Sequence, residues 1–326
     1  MKKRLFEVSK ITIFLVIFVM ILNCLSPIFV PKKNTKASGI KYENARGFYG
    51  EKENSLDIYA LGNSDLYSAL NPLQLWHDYG MTTYVSAEPS QDIFSAYYLL
   101  KEFLKHHDPQ LVILEVDGLF STSEANDLDQ GINSYIKNVF PLFEYHSRWK
   151  TLDKKDFSDP IHYDQKMLSK GYIYHDDVVV NKNMDYMNKK RHTNITDTTK
   201  FALDKFIKLA HRHGAEVLFV WYPSATSATY ARHDVVQDLA NEHDVPFIDF
   251  NVDHYDTGFD WLTDSRDGGN HLNFSGATKM TNYMGRYLDQ HYNLPDHRDN
   301  EEYNYWNDDY DMFMKTYVKK QKISQK

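Results

Sequence analysis

From Leu56 onward the chain repeats one pattern, a short apolar run followed by a longer stretch with apolar residues at three- and four-residue spacing. Strands buried on both faces read as unbroken apolar runs, and the helices that cross between them bury one stripe, so the alternation predicts βαβ units feeding a parallel sheet. Five strands are expected, over residues 56–61, 82–86, 111–116, 216–221 and 246–250. Helices are expected over 65–79, 91–107, 198–213 and 228–243, with a closing helix over 275–291. Gly80 and Gly214 stand where a helix end wants left-handed backbone, and Pro109 and Pro246 follow where helices have stopped. The fold class is therefore α/β, a three-layer α/β/α arrangement of flavodoxin-like type.

The ends of the chain lie outside this pattern. Lys2, Lys3 and Arg4 precede an apolar stretch over residues 11–30, about the length a helix needs to cross a hydrocarbon core. Pro31-Lys32-Lys33 is a poor approach to a cleavage site, so a retained single-pass membrane anchor is expected rather than a removed signal peptide. The single cysteine, Cys24, excludes an intrachain disulfide, and Leu22-Asn23 before it is unlike a lipidation site. Lys32, Lys33 and Lys36 follow the span, so flanking charge alone leaves its orientation open. The 326 residues divide into an anchor (1–36), an α/β domain (37–295) and a tail (296–326). Residues 119–195 are too long for a connection and form an insertion with Trp149 and Lys170-Gly171-Tyr172. The tail is aromatic and acidic, then basic, and its aromatic residues are expected to pack back on the domain as a short helix. Net charge is −8 with no dense Lys/Arg face, which argues against a nucleic-acid partner. Aromatic residues make 15% of the chain, suited first to a core and also to stacking on carbohydrate.

Functional groups in a doubly wound sheet gather beyond the carboxyl ends of the strands. Gly62-Asn63-Ser64-Asp65 follows the first strand directly, so Ser64 either presents its hydroxyl above the sheet or caps the next helix. A second element, from Asp267 through Gly268-Gly269-Asn270-His271-Leu272-Asn273 to Ala277, falls between the last strand and the last helix. There His271 can act as the general base that takes a serine proton and returns it to a leaving group. Other clusters are weaker. His211 and His213 point in different directions on a helix, and His106-His107 suits the carbonyls at the end of its own helix. Asp253, Asp256 and Asp260 lack the closing glutamate of a calcium loop, with Tyr255 and Thr257 where carboxylates belong. No dinucleotide or phosphate-cradling glycine motif follows the first strand, so no cofactor and no metal are expected.

Gly62-Asn63-Ser64-Asp65 resembles the first block of the SGNH (GDSL-like) hydrolases, and His271-Leu272-Asn273 with Ser275-Gly276-Ala277 resembles the last. The resemblance implies a Ser64–His271 pair oriented by an acid three residues before the histidine, where this chain has Gly268. A bulge through Gly268-Gly269 returns Asp267 to that place; Asp264 is the alternative. The middle blocks differ. Ser90, in Ala87-Glu88-Pro89-Ser90-Gln91, replaces an oxyanion glycine, and Asp117 stands where an oxyanion asparagine belongs, a donor worth roughly 3–4 kcal/mol of barrier. Ser90, Asp117 and Asn273 are the candidate oxyanion or substrate-binding positions. With the anchor and insertion, the chain more closely resembles envelope SGNH proteins, the DltD-type teichoic-acid proteins and the partners of membrane-bound O-acyltransferases. That implies an extracytoplasmic serine acyltransferase or esterase, working through an acyl-Ser64 on a surface polysaccharide or teichoic acid. The alternative is a non-catalytic scaffold that binds the polymer or a membrane-bound O-acyltransferase.

Overall fold

The computed structural model describes residues 2–120, 123–183, 185–252 and 256–319. Helix α1, Lys2–Phe29, is followed by a 3-10 segment at Asn44–Gly50. Then come β1 (Ile58–Gly62), α2 (Ser64–Ala69), α3 (Pro72–Tyr79), β2 (Thr83–Ala87), α4 (Ile93–Phe103) and β3 (Leu111–Glu115). The insertion contributes α5 (Glu124–Val139), a 3-10 turn at His146–Lys150 and α6 (Lys154–Ser158). After it follow α7 (Asp197–Arg212), β4 (Glu216–Trp221), α8 (Tyr230–His243), β5 (Phe247–Asp249), α9 (Phe274–His291) and α10 (Tyr305–Phe313).

The five strands form one parallel sheet in the order β2-β1-β3-β4-β5, with Ile58 opposite Thr83 on one side and Leu111 on the other. Every residue of β1, β2 and β3 is buried, which is why these strands read as unbroken apolar runs. Leu66 and Ala69 of α2 and Met280, Met284 and Leu288 of α9 cover one face. Leu100 and Phe103 of α4, Leu203 and Phe206 of α7 and Val236 of α8 cover the other. The chain leaves β1 for β2 on one side and returns to β3 on the other, so a crevice opens at the carboxyl ends of β1 and β3.

One expected element is divided. The helix expected over 65–79 is two, α2 and α3, broken at Asn71-Pro72. Proline has no N–H to donate and pushes the residue before it out of helical geometry, but it fits the first helical position. Asn71 caps the new helix, accepting from the Leu73 N–H at 3.1 Å. The fifth strand is shorter than expected, at Phe247–Asp249.

The insertion and the tail are tied to the domain by polar contacts across long sequence distances. α5 packs on α4 and α7. The turn at His146–Lys150 and α6 pack on the end of α1, where Arg148 donates to the Phe29 carbonyl at 2.6 Å. Lys170 is fully buried between Glu51 (2.9 Å) and Asp309 (2.6 Å), with Trp306 against its ammonium. Its carbonyl accepts from Val85 of edge strand β2 at 3.0 Å. Gly171 takes φ +93°, and a Cβ there would lie 1.9 Å from the Val85 carbonyl oxygen. α10 buries Trp306 and Phe313 in the core, and Asn307 accepts from the Trp76 indole at 2.9 Å. α1 has one apolar run, Phe6–Phe29, long enough to cross a membrane.

Candidate active site

β1 ends in Gly62, where a Cβ would lie 2.4 Å from the Cβ of Glu115 on β3, so only glycine lets the chain turn here against its neighbour. Asn63 then caps α2, its Oδ1 accepting from the Asp65 N–H at 2.8 Å. The capping role thus falls to Asn63, and Ser64 is left as the first helical residue with its hydroxyl free to turn elsewhere. Its Oγ lies 2.7 Å from Nε2 of His271. Nδ1 of His271 lies 2.5 Å from Oδ2 of Asp267. Three side chains from the two ends of the domain therefore form one continuous hydrogen-bonded line.

The loop that carries His271 is built around Asp267. Gly268 takes φ +70°, and the Asp267 Oδ1 accepts from the Gly269 N–H at 2.9 Å and the His271 N–H at 3.3 Å. The turn shortens the path enough for an acid four residues before the histidine to reach its ring. Hydrogen bonds from His271 and Gly269 hold the Asp267 carboxyl below the usual carboxylate range against the opposing effect of burial. Asp264 is not the partner. It is fully buried and accepts from Lys279 (2.7 Å), Ser275 (2.8 Å) and the Asp260 N–H (2.7 Å), anchoring the loop to α9.

Beneath Asn63 lie three buried carboxyls. Asp117 Oδ2 accepts from Asn63 Nδ2 at 3.0 Å, and Glu115 accepts from the Asp117 N–H at 3.0 Å. Asp65 accepts from Asn270 Nδ2 at 2.6 Å. Burial raises all three above the usual carboxyl range, and the charge of Asp117 raises Asp65 and Glu115 further. Asp117 and Ser90 share the wall of a cavity of about 290 Å³ with Asn63. Ser90 holds a left-handed backbone, φ +54°. Both candidate positions are thus placed beside the serine turn. Asn273 is not. Its Nδ2 donates to the carbonyls of Thr263 (2.8 Å) and Asp177 (3.1 Å), and its Oδ1 caps α9. With every polar atom engaged, Asn273 serves as scaffold, a correction to its expected place facing substrate.

Several neighbours were not singled out from sequence. The half-buried Tyr67, one helical turn after Ser64, lies close to the Ser64 and Arg266 side chains, and burial raises its phenol. Its spacing on α2 was a usable signal. Segment 172–181 of the insertion runs along the His271 loop, donating from Ile173 to the Tyr67 carbonyl (2.9 Å) and from Val179 to the Ser265 carbonyl (2.9 Å). It brings His175 to the rim, where burial and the charge of Arg266 lower the imidazole. No local pattern in the sequence announces that placement.

Of the weaker clusters, His211 and His213 are exposed. His107 bonds to the Phe48 carbonyl at 3.3 Å instead of to the end of its own helix. Asp253 and Tyr255 lie outside the described residues. Among the described residues no group of three His, Cys, Asp or Glu side chains is placed to hold a metal.

No protein-family model matches the sequence, and no curated protein matches it. Among solved structures the chain is similar to a lipase/acylhydrolase from Enterococcus faecalis, at 11% identity over 72% of this chain and 96% of that one, TM-score 0.37. It is also similar to a GDSL-like lipase from Bacteroides thetaiotaomicron, at 10% identity over 72% and 87%, TM-score 0.33.

Proposed function

We propose that the protein is a serine acyltransferase or ester hydrolase that works through an acyl-Ser64 intermediate. The observation that carries this reading is the line Ser64 Oγ, His271 Nε2, His271 Nδ1, Asp267 Oδ2, closed at 2.7 and 2.5 Å. As Oγ attacks an ester carbonyl carbon, Nε2 takes the hydroxyl proton, and the carbonyl oxygen gains negative charge. Collapse breaks the bond to the leaving alcohol, which receives that proton from Nε2. Water or a second alcohol, deprotonated by the same nitrogen, then attacks the serine ester and frees Oγ. Asp267, held as the anion, offsets the positive charge on the ring in both halves. The Ser64 N–H, at the head of α2 without an intrahelical acceptor, is one donor to the oxyanion.

The finer reading is transfer or removal of an acyl group on a cell-surface glycopolymer, on the extracytoplasmic side, with a membrane-bound O-acyltransferase as partner. It is supported by the apolar α1 and by the resemblance of the two sequence blocks. Incubation of the full chain with a fluorophosphonate, followed by peptide mass spectrometry, tests the core of it. Modification of Ser64 is expected, lost in Ser64→Ala and in His271→Ala. Unmodified Ser64 in folded protein overturns the catalytic reading.

The substitution of Asp117 for an oxyanion asparagine favours a second reading, a scaffold that binds polymer or the membrane transferase without chemistry of its own. Full restoration of polymer modification in a deletion strain by both Ser64→Ala and His271→Ala would select it.

A further inference from the structure

The insertion carries a surface that the chemistry of Ser64 does not use. Residues 146–161 hold three large apolar side chains out in solvent, Trp149 at 65%, Phe157 at 67% and Ile161 at 49% exposure. Exposed apolar residues are ordinary singly, but three within one short segment point to a partner. Their position says which. The turn at His146–Lys150 and α6 pack on the C-terminal end of α1. Arg148, buried and paired with Asp156 at 2.6 Å, donates to the Phe29 carbonyl in the last turn of α1. The His162 N–H reaches the Lys32 carbonyl at 2.8 Å. Where α1 leaves a bilayer, its last turn lies at the level of the headgroups. A segment bonded to that turn lies there too.

We infer that Trp149, Phe157 and Ile161 form a foot that enters the phospholipid headgroup region and seats the domain on the bilayer from which α1 emerges. Tryptophan favours that depth because its ring is apolar and its N–H can stay wet. Lys150, beside the Trp149 ring at 5.6 Å, and the exposed Lys154 and Lys155 have stems long enough to keep their charge in water while the rings enter. Seating also orients the molecule. Val30, at the end of α1, and Ile161, on the foot, both line a cavity of about 780 Å³ whose wall includes Ser90 and Gln91. Ser90 and Gln91 also line the smaller cavity of Asn63 and Asp117. The larger cavity therefore opens toward the membrane surface and adjoins, through Ser90 and Gln91, the cavity that Asn63 lines.

This inference rests on α1 crossing a membrane and not on the acyl-serine reading, so the two fail separately. The chain has five tryptophans; Trp76, Trp221, Trp261 and Trp306 are buried, which makes Trp149 the one that lipid can reach. The full chain is reconstituted into phosphatidylcholine vesicles whose acyl chains carry bromine at carbons 6 and 7, and tryptophan emission is compared with that in unbrominated vesicles. A loss of emission is expected that Trp149→Phe abolishes and Phe157→Ser with Ile161→Ser reduces. Emission unchanged by bromine, a loss that persists in Trp149→Phe, or a chain that fails to float with the vesicles overturns the inference.

Discussion

Asp264 and Asp267 sit on one loop, both carry carboxylates, and their surroundings give them different tasks. Asp267 is half exposed and touches the ring of His271, so Asp267→Asn is expected to keep the fold and slow fluorophosphonate labelling of Ser64 by roughly 10⁴-fold. Asp264 is buried on Lys279 and Ser275, so Asp264→Asn is expected to lower the urea midpoint while the folded fraction labels at the normal rate. Asp117 poses a different question, since burial holds its carboxyl above the usual range beside the turn where an oxyanion forms. A neutral amide fills the same space, so Asp117→Asn is expected to label within about 10-fold of the parent. Asp117→Leu, which removes all polar atoms, is expected to lose about 100-fold or more. His107 supplies a pH dependence. Burial against Phe48 and Phe103 lowers its imidazole to about 4, against 6.5 when the chain is unfolded. The unfolded chain thus binds the proton first, so this contribution is complete above pH 6.5 and lost as pH falls toward 4, by about 3 kcal/mol. Urea midpoints at pH 7.5 and 4.5 are expected to differ by less in His107→Gln.

At the scale of elements, the strands were legible and the insertion was not, for the same physical reason. β1, β2 and β3 are buried on both faces, and burial writes itself into sequence as apolar runs. The break between α2 and α3 was written as well, in Asn71-Pro72, but the apolar spacing runs across it and hides it. Around the site, Ser64 and His271 stand in turns next to predictable elements, and the Gly268 turn was readable as a bulge. Tyr67 and Arg266 lie beside Ser64 and Asp267 in the sequence itself, whereas His175 arrives there only because the insertion returns from far away. The insertion is held by such returns, Arg148 on Phe29, Asn34 on Gln165 and Lys170 on Glu51, which leave no local period. Lys170-Gly171-Tyr172, conspicuous in sequence, is a structural knot. Lys170→Met leaves Glu51 buried without its cation and is expected to cost about 3–5 kcal/mol in urea unfolding, with part recovered when Glu51→Gln is added.

For the whole molecule, the sheet order places both the reactive turn and the three buried carboxyls at one crevice, while α1 and its neighbouring foot lie with the insertion. The Ser64 and His271 side chains meet across 207 residues of chain and Lys170 meets Asp309 across 139, so the site and the core close only after both ends have folded together. The cover of β2 has a consequence of its own. β2 is an outer strand of the sheet, and the Lys170 turn accepts the Val85 N–H on its open side. An outer strand left open is a template on which another copy can add a strand. A change that lifts this turn, such as Gly171→Val, would therefore be felt between molecules more than within one, as protein that leaves solution faster the more concentrated it is.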